Sequence, residues 1–290
     1  MEVTGRASDR PGVGDGKMAL DARAFTAFES SAHDRIAGSY SEHFAPLTSF
    51  AVMPLVEAAR ITPGRRVLDV ATGPGVAAAA AKERGAVTTG VDVSAGMVAL
   101  AQKTHPDIEF HVADVLALPF ADGAFDAVLC NFALGHFPEP EAALAECVRV
   151  LAAGGMLAFS WWDHPDRQRV QGLFRETIAE LELPPHPAVP EGHDTLRFSD
   201  PKAFAQLLRA AGLMEVAVTA CRAFYMVPDA DALWNIGMGG MAVTASAIAA
   251  QNTATQARAR HVLARRAEAY RAAAGLQIPI SYYIGAGRRS

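Results

Sequence analysis

The sequence predicts an α/β chain built on a doubly wound, mostly parallel sheet, and three observations carry that reading. Short apolar runs alternate with helical stretches between Arg65 and Trp162, the pattern of βαβ units. The first run, Val67–Val70, leads into the glycine turn Gly73-Pro74-Gly75 and then into an alanine-rich helix. Acidic residues, Asp92 and Asp114, stand just beyond the next two runs. Strands are expected at Val67–Val70, Val87–Val91, Ile108–His111, Ala127–Asn131 and Met156–Trp161. Helices lie between them, one starting at Ser94 as its N-cap and another running from about Pro140 to Leu151.

Around this core, residues 62–163, the rest of the chain divides by composition. Residues 1–17 mix charge, Gly and Pro without an apolar run and are expected to form a disordered tail, not a signal or anchor. Residues 18–61 read as an N-terminal helical lid: an Ala/Phe-rich stretch through Ala27, a polar turn around Ser30, then Pro46 to Ala59. Residues 164–290 supply substrate-side helices, a cap and the last strands, completing the same domain. They read as a helix to Leu181, a proline-rich loop at 184–193, a helix capped by Asp200-Pro201, and late strands at Val216–Tyr225 and Pro279–Ile284. The Ala- and Met-rich segment 225–279 is a candidate lid. Trp161, Trp162, Phe224, Tyr225, Trp234, Met238 and Met241 are candidates for the pocket wall, with about half expected to reach it.

Composition excludes several classes of function. The 290 residues, 51% hydrophobic, suffice for one substantial core. A formal net charge of −5 with no run of Lys or Arg argues against nucleic acid as a partner. No window approaches the roughly 18 apolar residues of a membrane span, so a cytoplasmic protein is expected. Cys130, Cys147 and Cys221 are widely spaced and read as reduced, buried thiols. None of the nine histidines is read as pairing at i, i+4 with a helical Glu in the manner of zinc ligands, so no metal is expected. The expected partner is a small-molecule substrate, with a homodimer allowed for.

The chemistry-bearing signal starts at Val67-Leu68-Asp69-Val70-Ala71-Thr72-Gly73-Pro74-Gly75-Val76, where glycines let the backbone approach a ligand. Gly73 to Ala78 also fits the dinucleotide fingerprint, so this stretch alone does not separate a nicotinamide or flavin protein from a methyltransferase. Asp92 follows 19 residues after Gly73, where a carboxylate accepts ribose hydroxyl protons in either case. Asp69 discriminates: a carboxylate at the loop mouth repels a pyrophosphate and favours a cationic ligand. Asp114 in ADVLALPF is placed to read an adenine edge, and Asn131 ends the fourth strand facing the crevice.

With VLDVATGPG, VDVSAGM, ADVLALPF, FDAVLCNFALGHF and VLAAGG in that order, the chain resembles the class I S-adenosylmethionine-dependent methyltransferases, of the ubiquinone/menaquinone-biosynthesis type, from about Tyr40 to Asp163. The resemblance implies a Rossmann-like sheet of seven strands with the last antiparallel, and S-adenosylmethionine as cofactor. It places Asp69, Ala71, Gly73 and Gly75 on the methionine side, Asp92 and its neighbour Val93 at the ribose, and Met97 over the adenine. Asp114 and Val115 would hold the adenine edge, with Asn131 and Tyr40 near the sulfonium. The family's first loop glycine is Ala71 here. His136, five residues past Asn131, is the candidate general base. The expected function is methyl transfer to a small, hydrophobic or aromatic acceptor. Its rivals are a NAD- or FAD-dependent oxidoreductase and a non-catalytic protein that binds S-adenosylmethionine.

Overall fold

The apolar runs pair into one mixed sheet. Strands β1 (Arg66–Val70), β2 (Val87–Asp92), β3 (Glu109–Val112), β4 (Phe125–Asn131) and β5 (Leu151–Trp162) run parallel. The order is β3-β2-β1-β4-β5-β8-β6, where β8 (Gly275–Arg289) lies antiparallel between β5 and β6 (Leu213–Val227). The antiparallel last strand is as the sequence implies, whereas the short β7 (Arg271–Ala272), which folds back onto β8, was not expected. This computed structural model describes residues 21–190 and 193–290, so the expected tail at 1–17 and the first residues of the 18–61 lid lie outside the described residues.

Central strands covered on both faces must be apolar throughout, and Leu68, Val128, Leu129, Leu157 and Phe159 are fully buried. The covering helices are α1 (Ala22–Ser39), α2 (Ala45–Thr48), α3 (Val52–Ala58), α4 (Val76–Glu83), α5 (Ala95–Thr104), α6 (Pro140–Val150), α7 (Arg169–Glu180), α8 (Pro201–Ala210), α9 (Ala230–Gly240), α10 (Ala242–Ala249) and α11 (Thr253–Ala267). Among the described residues no single helix is long and apolar enough to cross a membrane.

The polar turn expected around Ser30 is absent, and α1 runs unbroken through it. The Ser30 hydroxyl donates outward to the carbonyl of Val93 at 3.1 Å, so it does not compete with the helix backbone. A π-helical turn, Tyr40–Phe44, then bends the chain over the sheet. Helix α9 packs on that turn through Gly240, where an added Cβ would sit 2.0 Å from Cγ of Phe44. The segment 225–279 therefore packs against the N-terminal helical part through α9.

Two loops leave the sheet where its order reverses, after β1 and after β4, and that reversal opens the ligand crevice of this architecture. After β1 the chain turns sharply, with positive φ at Ala71 (52°), Gly73 (53°) and Gly75 (85°). Gly75 is favoured by its left-handed angle and closely fitted, since a Cβ there would lie 3.0 Å from the side chains of both His105 and Phe110. Ala71 holds the left-handed conformation without the freedom of glycine.

Two outcomes follow from this packing. Ala71→Gly removes a left-handed penalty of about 1–2 kcal/mol against an unfolded-state entropy cost of about 0.4–1 kcal/mol. Urea unfolding should show a small net stabilisation, and a loss would mean that the Ala71 methyl contributes more by packing than its backbone costs. Gly240→Ala forces Phe44 aside and should destabilise by about 1–3 kcal/mol, with faster amide exchange over Tyr40–Ala51. An unchanged melting profile would show that the packing of α9 on the N-terminal helices does not depend on this contact.

Candidate active site

The crevice between β1 and β4 deepens into a cavity of about 390 Å³, within the usual range for small-molecule sites. Its floor is the loop after β1, with Ala71 and Gly73, and its side walls come from the ends of β2 and β4 and from the loop after β3. The roof combines α1, the π-helical turn, and Met241 with the first turn of α10.

Asp92 organises the floor. Its Oδ2 accepts the Gly73 N–H and its Oδ1 the Ser94 N–H, both at 2.9 Å, and the carboxylate remains on the cavity wall. Burial pushes this carboxyl above its ordinary range, opposed by those two N–H bonds and by the nearby His33 and His136. Ser94 caps α5 by accepting the Met97 N–H at 3.1 Å, which sets Met97 into the wall beside Val93. Asp114 and Val115 line the neighbouring wall. The Asp114 carboxylate also caps its own turn through the Leu116 N–H at 3.0 Å.

Asn131 reaches the wall with its amide already engaged. It donates to the Thr48 carbonyl at 3.2 Å and accepts from the Ser160 hydroxyl at 2.7 Å, tying the ends of β4 and β5 to the N-terminal segment. The next residue, Phe132, holds a left-handed φ of 56° and stacks on Trp162 with ring centroids 3.6 Å apart. Tyr40 also faces the cavity, and burial lifts its phenol to about 12, so it stays neutral near pH 7.

Two sequence-predicted residues, Asp69 and Gly75, do not line the cavity wall, although both belong to the strand end and loop beneath it. Side chains alternate along β1, and Asp69 turns toward α4. There it accepts the Thr72 hydroxyl at 2.6 Å and the Ala78 N–H at 2.9 Å, an unpaired donor of the first helical turn. Burial raises its carboxyl to about 7, and its Oδ1 has no partner among the described residues. Gly75 faces His105 and Phe110, away from the cavity. Of the aromatic and Met candidates, Trp161, Trp162 and Met241 line the cavity, while Phe224 is exposed on the edge strand β6.

His136 lies in the turn Leu134–His136 after β4 and lines the cavity. Its Nδ1 lies 3.0 Å from Oε2 of Glu29, a buried carboxylate on α1. Burial would lower the His136 pKa, but the Glu29 charge and hydrogen bond, with Asp92 behind them, hold it above its ordinary value. Glu29 mirrors this: burial opposes ionisation, and His136 with His33 outweighs it and holds the carboxyl below its usual range. The ring of His33, four residues on, places Nδ1 2.9 Å from the Glu29 carbonyl and 3.3 Å from its Oε2. The sequence reading missed Glu29 and His33. Their i, i+4 spacing was the available signal, and the turn expected at Ser30 hid it.

The ligand atoms of Glu29, His33 and His136 lie within 4.8 Å of one another, a set that could hold a metal ion. Within that set, Nδ1 of His33 also lies 2.9 Å from the Glu29 carbonyl.

A methyltransferase-domain family model matches residues 68–159, the span from β1 into β5. The chain is 37% identical over 153 residues to a demethylmenaquinone methyltransferase of Renibacterium salmoninarum, covering 53% of this chain and 61% of that relative's length. A demethylmenaquinone methyltransferase of Corynebacterium kroppenstedtii is 31% identical over 162 residues, which cover 53% of this chain and 70% of that one. Among solved structures, Haemonchus contortus phospholethanolamine N-methyltransferase 2, in complex with phosphomonomethylethanolamine and S-adenosylhomocysteine, shares the fold. Its TM-score is 0.56 at 16% identity, covering 91% of this chain and 60% of that one. Matched across the strands that build the crevice and sharing the antiparallel last strand, the chain belongs to the class I S-adenosylmethionine-dependent methyltransferases.

Proposed function

We propose that the chain transfers a methyl group from S-adenosylmethionine to a small, hydrophobic or aromatic acceptor. The observation that carries this reading is Asp92: a strand-end carboxylate on the cavity wall, steadied by one N–H on each oxygen and with lone pairs left for two ribose hydroxyls. The cavity suits the rest of the cofactor, with Gly73 bare beneath it, Met97 and Val115 as apolar walls, and Asp114 at the wall's edge. When bound, S-adenosylmethionine supplies an electrophilic methyl group for in-line displacement.

The protein's task is then to hold the acceptor in line and to exclude water. The Phe132–Trp162 stack and Trp161 offer flat apolar surface for an aromatic ring. His136 stands at the same cavity with Nε2 free of hydrogen-bond partners among the described residues, placed to take a proton from an acceptor hydroxyl. The relatives are named for a quinone acceptor, so a reduced demethylmenaquinone analogue is the first substrate to assay, beside simple phenols. Mass-spectrometric detection of a labelled methyl group on either would establish transfer, and its absence across a metabolite extract would leave only cofactor binding.

Asp92→Ala should weaken S-adenosylhomocysteine binding roughly ten- to hundredfold, the loss of hydrogen bonds to a charged acceptor. Calorimetry on the folded variant checks this, and full affinity would remove Asp92 from the ribose site.

His136→Ala should lower single-turnover transfer by about 10²- to 10⁴-fold while leaving S-adenosylhomocysteine affinity intact. The base must be neutral to act, and its pKa is held above 6.5. Transfer by the unmutated chain should therefore rise with pH along a limb centred above 6.5, and that limb should vanish in the variant. A limb that survives the substitution would assign the titration to another group.

A further inference from the structure

We infer that Glu29 is a positioning residue, holding the Nδ1 proton of His136 so that Nε2 faces the cavity, and that the base is complete only when α1 is docked. The inference rests on reading His136 as the base. An ionised carboxylate has acceptors only, so the hydrogen on the 3.0 Å contact belongs to Nδ1 of His136. Whenever the ring is neutral, that contact leaves the lone pair on Nε2. Glu29 also fixes the ring's orientation, because its side chain is only 6% exposed and packs within the roof. This is the division of labour by which a buried carboxylate orients a catalytic imidazole.

The two residues lie 107 positions apart, so the pair exists only when α1 lies on the mouth of the sheet. The same helix closes the nucleoside side. Asp34 accepts the Ser94 hydroxyl at 2.6 Å and the Gly96 N–H at 2.8 Å at the start of α5, and Ser30 bonds the Val93 carbonyl. Docking that covers the Asp92 wall therefore also assembles the Glu29–His136 pair. His136 is surrounded by Glu29 and His33 from α1, Asp92 from β2 and the Trp161 ring from β5, with Arg175 of α7 also on the cavity wall. Of these, Glu29 alone touches Nδ1 among the described residues. Burial of a carboxylate without a partner is costly, which explains why Glu29 stands where it does only with an imidazole opposite.

The test needs no acceptor. The full chain is labelled with ¹⁵N-histidine and followed by long-range ¹H–¹⁵N spectra across pH, with His136 assigned from the spectrum of His136→Gln. In the unmutated chain, neutral His136 should be the Nδ1–H tautomer. Glu29→Gln keeps an acceptor and removes the charge, so the His136 midpoint should fall by roughly one pH unit. Glu29→Leu removes both, and the tautomer preference should be lost. Removing one partner of a buried ion pair is destabilising, so circular dichroism checks the fold of Glu29→Leu, and the midpoint of the more conservative Glu29→Gln decides the inference if the leucine variant does not fold. An Nε2–H tautomer in the unmutated chain, or a midpoint and tautomer unmoved in both variants, overturns the inference. Calorimetry with S-adenosylhomocysteine runs alongside: its failure to bind the unmutated chain would count against the methyltransferase reading, whereas the tautomer and midpoint decide the role of Glu29.

Discussion

Two backbone N–H groups converge on the carboxylate of Asp92, and the cavity takes its shape from that pair of bonds. One comes from Gly73 in the loop after β1 and the other from Ser94 at the start of α5, so a single side chain fastens two neighbouring strand exits together. The parallel register of β1 on β2 brings them into range, with Asp69 opposite Gly90 and Val70 opposite Val91. Closeness behind this point matters too. A Cβ on Gly90 would lie 2.5 Å from Phe110, so the sheet packs there without side-chain spacing. The charge is costly to bury, and the bonds that oppose its protonation are the ones that build the floor.

Over this floor the N-terminal helix acts as a second layer, with polar anchors on the elements that build the site. Asp34, Ser30 and Glu29 bond, respectively, to the α5 start, to the β2 exit and to the turn after β4. The roof is held by these bonds, two of them to carboxylates, and by the packing of Phe44 on Gly240.

Backbone strain occurs at the same place too. The residues immediately after β1 and β4, Ala71 and Phe132, both carry left-handed φ without being glycine. Such conformations persist when their surroundings over-determine them. Phe132 is pinned by its stack on Trp162 and by its N–H on the Ser160 hydroxyl at 2.9 Å. The sharp turn that results lets Asn131 brace the β4 exit against Thr48 while the chain continues to His136.

The sequence by itself determined the parallel core, the position of the glycine turn, the acidic residue after β2 and the family. Each rests on local pattern: apolar runs of strand length, glycines between strand and helix, and Asp92 at a fixed distance from Gly73. It also placed most of the cavity wall, because residues at strand ends share one edge of the sheet. Only the tertiary structure decided which way those side chains face and what meets them from afar. Asp69 turned to the helix start because unpaired N–H donors of α4 lie on that side, an attraction that strand periodicity does not encode. Glu29 met His136 across 107 positions through the docking of α1, and a local reading that broke α1 at Ser30 had no means of pairing them. Spacing along the chain specifies neighbours within one element, whereas contacts between elements depend on how buried faces pack, and the pairing at His136 is a contact of the second kind.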